Sequence, residues 1–280
     1  MTDYIYEPFP DDVLFNHRIG KNYTNIFHRH DGYEIYLFIK GNINFYFENA
    51  CFHLDCGTLI AINPNEFHRA VCLDSMTYER ISINIKMSYV QQLSTPHSNL
   101  CSCFERNPGG VIHIAHLNQQ EVNEFIILSH KMQNAYDSNE YGNDILRSSY
   151  LSQLLIITNR LFQDNKSVGL EENQNIMPKF LADTIKFIDD NITENITLKM
   201  LSEQIYLNGT YISRQFKEHT GITLQKYIIN KKISLAARYL ADDESVTTAC
   251  YMSGFKNYSN FIRTFTKQMG ISPGKYRRNI

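Results

Sequence analysis

Residues 23–85 of this 280-residue chain read as strands, with apolar and polar positions alternating in several of them, and give way near Glu121 to a helical spacing that persists almost to the end. Tyr33–Lys40 is a β-rich run followed by Gly41, and Ile43, Phe45 and Phe47 alternate with Asn44 and Tyr46. Glu48, Asn49 and Ala50 turn the chain into Cys51–Leu54; Thr58–Ile62 ends at Asn63-Pro64-Asn65, and residues 77–85 alternate again. Short strands with turn residues at such spacing predict an antiparallel sandwich or barrel. Phe125, Leu128 and Met132 then predict one amphipathic helix. Ile145, Leu151, Leu154, Leu155, Leu161 and Phe162 predict a second, apolar enough to need a partner in the barrel or in another subunit. Residues 163–177 are polar, contain Gly169 and follow neither period, as a linker does. The expected division is therefore 1–162, a linker at 163–177, and 178–280.

After Pro178, a favourable first-turn residue, nearly everything reads as helix. Thr197, Asn208, Thr223 and Ser245 stand where caps are expected, and Gly221, Gly254 and Gly270 where left-handed stops are expected. Residues 209–216 align with residues 258–265 at a constant offset of 49, which sets Arg214 on Arg263, Phe216 on Phe265, Gly221 on Gly270 and Ile222 on Ile271. Each copy follows a short helix and a tight turn, so the repeated unit is a helix-turn-helix. In the first, Ile212 and Phe216 share one face while Thr210, Ser213, Arg214 and Lys217 share another. In the second, Phe261 and Phe265 lie opposite Asn260, Arg263, Thr264 and Lys267, with Ser259 near the start.

Those exposed types are the ones a major groove accepts: Arg bridges guanine acceptors, Asn pairs with adenine, Ser and Thr serve either base, and Lys neutralises phosphate. The helix between the units, about 18 residues at 1.5 Å each, is roughly 27 Å long and suits a spacer between successive major grooves.

Charge reinforces the division. The net charge of −2 hides 15 basic against 9 acidic residues in 178–280, so the front part carries −8 and the rear part +6. A basic module joined to an acidic one fits polyanion binding attached to sensing or assembly. With 43% hydrophobic residues the chain has ample core material, and no run of about 18 apolar residues suggests a membrane span. Six scattered cysteines and a polar, acidic start favour a reducing cytoplasm over secretion.

Residues 178–280 resemble the DNA-binding domain of the AraC/XylS family of bacterial transcription regulators. The resemblance rests on Gly254-Phe255, on Asn260-Phe261-Ile262-Arg263-Thr264-Phe265, on Gly270-Ile271-Ser272-Pro273-Gly274-Lys275-Tyr276-Arg277, and on residues 207–221. It implies base-facing positions at Thr210, Ser213 and Arg214 and at Ser259, Asn260 and Arg263. Lys217 and Lys267 are the phosphate candidates. Ile262 stands where a small polar residue is usual, and Gly209 where proline is commoner.

In the front part, His28-Arg29-His30-Asp31-Gly32-Tyr33-Glu34 with Gly41 resembles the first cupin motif, and Gly57 through Pro64 to His68 a degraded second one. Glu66 stands where glycine is usual. The resemblance implies His28, His30, Glu34 and His68 on one inner face, where two imidazoles at i and i+2 share a side of the strand. They are assigned to a polar effector pocket; ligation of a divalent metal is the alternative and a structural role the third. His97, Cys101, Cys103, His113 and His116 are discounted as a zinc site because their spacing fits no common pattern. The aromatic residues Tyr4, Tyr6 and Phe9 are candidates for an arm over the ligand. No nucleophile elbow, phosphate loop or dinucleotide fingerprint is present.

The expected protein is α+β and multidomain: a cupin-like antiparallel β-barrel with helices after it, then an all-α domain of two helix-turn-helix units joined by a long helix. The family resemblance implies a cytoplasmic activator acting on promoter DNA with RNA polymerase, a homodimer, and a small-molecule effector such as a sugar. It implies no cofactor and no catalytic residue. The alternatives are a metal-dependent cupin enzyme with a DNA-binding tail and a constitutive regulator that binds no effector.

Overall fold

The computed structural model describes residues 6–7, 11–21, 24–48, 50–64, 66–105, 113–163 and 175–278. Tyr4, Phe9 and most of the expected linker lie outside the described residues, and Tyr6 is described by its backbone alone. The strands are β1 Tyr6–Glu7, β2 Val13–Gly20, β3 Arg29–His30, β4 Tyr33–Lys40, β5 Ile43–Phe47, β6 Cys51–Leu54, β7 Thr58–Ile62, β8 His68–Cys72, β9 Tyr78–Ile85 and β10 His113–His116. The α-helices are α1 Met87–Leu93, α2 Gln119–Asp137, α3 Asn143–Gln163, α4 Lys179–Asp190, α5 Leu198–Ile205, α6 Gly209–Thr220, α7 Leu224–Ala241, α8 Val246–Met252, α9 Tyr258–Met269 and α10 Pro273–Arg278.

Two antiparallel sheets form the front lobe, one ordered β10-β7-β4-β9-β2 and the other β6-β5-β8. β1 pairs with β3 in parallel, a departure from the all-antiparallel expectation. The larger sheet is buried on both faces, so its strands alternate between two apolar sets rather than between apolar and polar. Tyr36, Phe38, Ile60, Ile62 and Tyr78 meet Phe45, Phe47 and Phe52 of the smaller sheet in an aromatic interior. Ile35, Leu37, Leu59, Ile81 and Ile83 face the other way, onto Phe125, Met132, Leu151, Leu154 and Leu155 of α2 and α3. The sheet is thus the partner those two helices need. Ile145, expected on the apolar face, is 68% exposed, because it sits in the first turn of α3 beyond the edge of that patch. Strands β2 and β10 and helices α1 and α10 carried no clear signal in the sequence. The burial of β2 alternates over Val13–Arg18, but its sequence does not, because Leu14 stands on the exposed side and His17 on the inner one, in an edge strand that pairs with β9 alone.

The rear lobe follows its local signals closely. Thr197, Asn208, Thr223, Ser245 and Asn257 each accept a backbone N–H in the first turn of the helix they precede. Pro178 stands one residue before α4 rather than inside its first turn. Helices α6 and α9 keep the offset of 49 from first residue to last, and end at Gly221 (φ 76°) and Gly270 (φ 73°). Gly209, where the family resemblance favours proline, has a packing reason: a Cβ there would lie 2.9 Å from Ser202 Oγ and 3.2 Å from Leu198 Cβ, so glycine lets α6 approach α5.

Lys232, in the middle of α7, is nearly buried, and its ammonium donates 2.9 Å hydrogen bonds to the carbonyls of Glu194 and Gly254. Glu194 lies between α4 and α5 and Gly254 after α8, so one cation ties both helical units to the connecting helix. Charged hydrogen bonds are worth about 1.5–3 kcal/mol each. Lys232→Met is expected to lose about 2–3 kcal/mol in chemical denaturation, whereas Lys199→Met, on the surface, should change little. Equal stability of the two variants would show that Lys232 does not hold the units together.

Candidate functional site

Both exposed stripes survive folding. On α6, Thr210, Arg214 and Lys217 are exposed and Ser213 is half-buried, above a buried Ile212 and Phe216. On α9, Ser259, Asn260, Arg263 and Lys267 are exposed above Phe261 and Phe265. The two arginines rest on their own helices: the Arg214 guanidinium lies 5.8 Å from the Tyr211 ring centre, and Arg263 Nη2 donates to Asn260 Oδ1 at 3.0 Å. Ile262, anomalous as a groove residue, packs partly into the core of the second unit.

The front-lobe residues converge as well. His30, Glu34 and His68 are 1%, 5% and 2% exposed, and their ligand-type atoms all lie within 4.8 Å of one another. His30 Nε2 is 2.7 Å and His68 Nε2 3.2 Å from the same oxygen, Glu34 Oε2. The other nitrogen of each ring donates to a backbone carbonyl, His30 Nδ1 to Gly32 and His68 Nδ1 to Glu66, both at 2.9 Å. His28, just before β3, stands beside them, its ring 4.3 Å from that of His68, and its backbone forms an isolated bridge to that of His68. Burial alone would raise the Glu34 carboxyl, but the hydrogen bonds from His30 and His68 outweigh it and hold the group well below the usual range. Loss of water, with His68 alongside, pushes His28 down to about 3. Among the described residues no other group of three such side chains gathers ligand atoms this closely. In the discounted set, His113 Nδ1 donates to the carbonyl of Cys103.

Sequence reasoning missed two features that arise only where distant segments meet. The first is a cleft of about 430 Å³ lined by Tyr33, Glu48, Asn63, Pro64, Glu66, Phe104 and Glu105, in which the Tyr33 and Phe104 rings stack at 4.1 Å. The second is a seam between the lobes. Phe27, Tyr46, Cys51 and Phe67 of the front lobe share one apolar cluster with Leu181, Ile185, Phe216, Ile222 and Tyr227 of the first helical unit. Across it Phe27 N–H donates to Thr220 O at 2.9 Å, and the Arg69 guanidinium donates to the carbonyls of Glu218 and His219 at the end of α6. Glu48 accepts from Lys231 Nζ at 2.9 Å and from the Tyr227 hydroxyl at 3.1 Å. A Cβ on Gly221 would stand 3.2 Å from Ile26 and 3.4 Å from the Arg69 guanidinium carbon. Phe27 and Phe67, both fully buried, are worth about 2–3 kcal/mol each. The single Lys231–Glu48 ion pair, its side chains 19% and 26% exposed, sets one partly buried charge pair against a cluster of fully buried rings, so the seam is held chiefly by its apolar contact.

Comparison with known proteins gives two family matches. Residues 13–155 fit the AraC-like ligand binding domain and residues 201–279 a helix-turn-helix domain. The HTH-type transcriptional activator RhaS of Enterobacter sp. (strain 638) is 24% identical over 258 residues, 90% of this chain and 87% of the relative. The melibiose operon regulatory protein of Escherichia coli (strain K12) is 29% identical over 100 residues, 35% of this chain and 33% of that one. Among solved structures, unsaturated fatty acid bound ToxT from Vibrio cholerae strain SCE256 aligns over 95% of this chain and 94% of its own with 16% identity and a TM-score of 0.41.

His219 gives the seam a pH dependence. Burial and the Arg69 charge hold it below its ordinary value, with Glu218 opposing. The unfolded histidine takes a proton near pH 6.5 while the docked one stays neutral, so this contribution is complete above that pH and is lost as pH falls below it. The Tm is expected to drop between about pH 7 and pH 5.5, and His219→Gln to flatten part of that slope. An unchanged slope in the variant would assign the acid sensitivity to other histidines.

Proposed function

The chain belongs to the AraC-type family of transcription regulators, and on that premise we propose that it reads promoter DNA with both helix-turn-helix units while its front lobe receives a small polar effector. The observation that carries the reading is the offset of 49, which holds at once in the caps, the buried faces and the exposed stripes of α6 and α9. A repeat kept only for packing has no need to preserve Arg214 and Arg263 in register on solvated faces.

Thr210, Ser213 and Arg214, with Ser259, Asn260 and Arg263, are the base-reading residues, and Lys217 and Lys267 contact phosphate. Freed from Tyr211 and Asn260, the two guanidinium groups reach the groove floor. α7, at about 27 Å and fastened to both units by Lys232, sets their spacing for successive major grooves. The effector belongs to the front lobe, at His28, His30, Glu34 and His68 and in the cleft beside them. Glu66 joins the two, since its carbonyl accepts from His68 and its side chain lines the cleft. Stacked aromatic rings edged by carboxylates suit a polyhydroxylated ligand, and the melibiose operon relative supports the sugar class. The activator name of the RhaS relative supports activation, hence contact with RNA polymerase, in the cytoplasm. Ile127, Ile145 and Leu146, exposed on α2 and α3, support homodimerisation through those helices. The curated relatives named above are regulators, and no helix among the described residues is long and apolar enough to cross a membrane.

Footprinting the purified chain on DNA flanking its own gene tests the reading. Protection of about two helical turns per chain is expected. Arg214→Ala or Arg263→Ala should each cost about 1–3 kcal/mol and relax preference at one base position. Diffuse protection, identical in the double variant, would reduce the rear lobe to a non-specific anchor. Lys217→Ala and Lys267→Ala should instead weaken every sequence alike and lower the slope of log affinity against log salt by about one each; a preserved slope removes them from the phosphate contacts.

A further inference from the structure

Helix α4 carries its charges against its own dipole. Lys179 is its first residue and Asp189 and Asp190 are its last, with no acidic group in the first turn and no basic one in the last. A helix favours the opposite order at both ends, and a lysine four residues before an aspartate is the weaker direction for an ion pair along it. Lys186 and Asp190 meet at 2.9 Å, whereas Lys179 and Asp183 have no ion pair among the described residues.

At about 100° per residue, Lys179, Asp183, Lys186 and Asp190 fall within roughly 60° of one another, and all four are exposed. Leu181, Thr184, Ile185 and Ile188 are buried on the opposite side. Phe180 and Phe187, partly buried, run along one flank of the charged stripe. That flank opens onto a groove of about 640 Å³ whose far wall includes Tyr206, a ring that is 90% exposed. The face therefore has an apolar floor, a charged edge and an uncovered aromatic side chain.

A stripe that reads plus, minus, plus, minus is its own complement when reversed. Turned about a two-fold axis between residues 184 and 185, Lys179 of one copy meets Asp190 of the other, and Asp183 meets Lys186. Every charge of the stripe then has a partner. The same rotation sets the two helix dipoles antiparallel. It brings Asp190 of one copy to the start of the other's α4 and Lys179 to its end, which is the order that each helix lacks by itself. Phe180 and Phe187 of both copies come to the same flank. An unrelated partner needs only an opposite charge, not a palindromic pattern; self-complementarity is the mark of an isologous contact.

We propose that this face of α4 docks on the same face of a second copy of the chain. The contact is one helix pair about 18 Å long, so it is a small, weak interface that acts between chains brought together elsewhere. It is separate from the α2 and α3 contact proposed above. Two rear lobes joined this way are related by a two-fold axis and fit inverted half-sites, whereas sites repeated in tandem require the α4 contact to open. That consequence rests on the DNA-reading proposal; the contact itself does not.

Full chains grown on ¹⁴N and ¹⁵N media, equilibrated together without DNA and treated with a carbodiimide that joins amines to carboxylates, test the proposal. Peptides linking Lys179 to Asp190 and Lys186 to Asp183 between one light and one heavy chain are expected. Two charge variants supply the second arm: Lys179→Glu with Lys186→Glu leaves an all-acidic stripe, and Asp183→Lys with Asp190→Lys an all-basic one. All four positions are exposed, so both should fold. In sedimentation an equal mixture of the two should associate at least tenfold more tightly than either alone. An unaltered chain that gives no mixed links within α4 overturns the contact, and a dimer that still forms is then held by another face. A mixture that associates no better than its components overturns it as well. Footprints on DNA decide the regulator reading separately, since neither arm contains DNA.

Discussion

A helix has to satisfy its last carbonyls, and at the end of α6 that requirement joins the two halves of the molecule. The carbonyls of Glu218 and His219 are met by the Arg69 guanidinium and that of Thr220 by the Phe27 amide, all from the front lobe. A cation at a helix C-terminus meets the negative end of the helix dipole and its open acceptors together. Burial lowers the pKa of Arg69, yet the group keeps carbonyl partners in place of water. Gly221 has to be glycine on two counts, its left-handed φ and its approach to Ile26. The end of a DNA-reading helix is therefore also a docking surface, while its start and its outer stripe stay open.

Lys232 repeats the device inside the rear lobe. Its ammonium draws carbonyls from two loops onto α7, so the distance between α6 and α9 depends on a shared contact as well as on helix length. Propensity alone would set each helix; it would not set the angle between them. Reading two grooves in succession depends on that angle, which is why a nearly buried lysine in α7 bears on DNA recognition without touching DNA.

The front lobe separates two kinds of chemistry by depth. Near its mouth, stacked rings and carboxylates line an open cleft. Below, the larger sheet has no polar face left to offer, because one side is committed to the aromatic interior and the other to α2 and α3. Polar groups at that depth have to satisfy one another, and His30, Glu34 and His68 do so around a single oxygen.

Much of the rear lobe was legible in the sequence. Caps at Thr197, Asn208, Thr223 and Ser245 and the glycine stops depend on residues within a turn or two of each other, and local interactions follow from local order; the repeat was visible as the same local pattern written twice, 49 residues apart. The strands of residues 23–85 were legible for the same reason, whereas the grouping of His28, His30, Glu34 and His68 came from the cupin resemblance; the three that converge most closely lie on β3, β4 and β8 of three different sheets. The edge strand β2 was not, because an exposed Leu14 and an inward His17 break the apolar and polar alternation that its burial follows. Nor were Arg69, Glu48 with Lys231, the cleft, or the choice of the sheet as partner for α2 and α3. Each of these joins segments tens to well over a hundred residues apart, where spacing along the chain carries no information. Periodicity and capping determined the elements and the DNA-reading faces; tertiary packing decided what those elements lean on, because burial forces polar groups from distant segments to become one another's solvent.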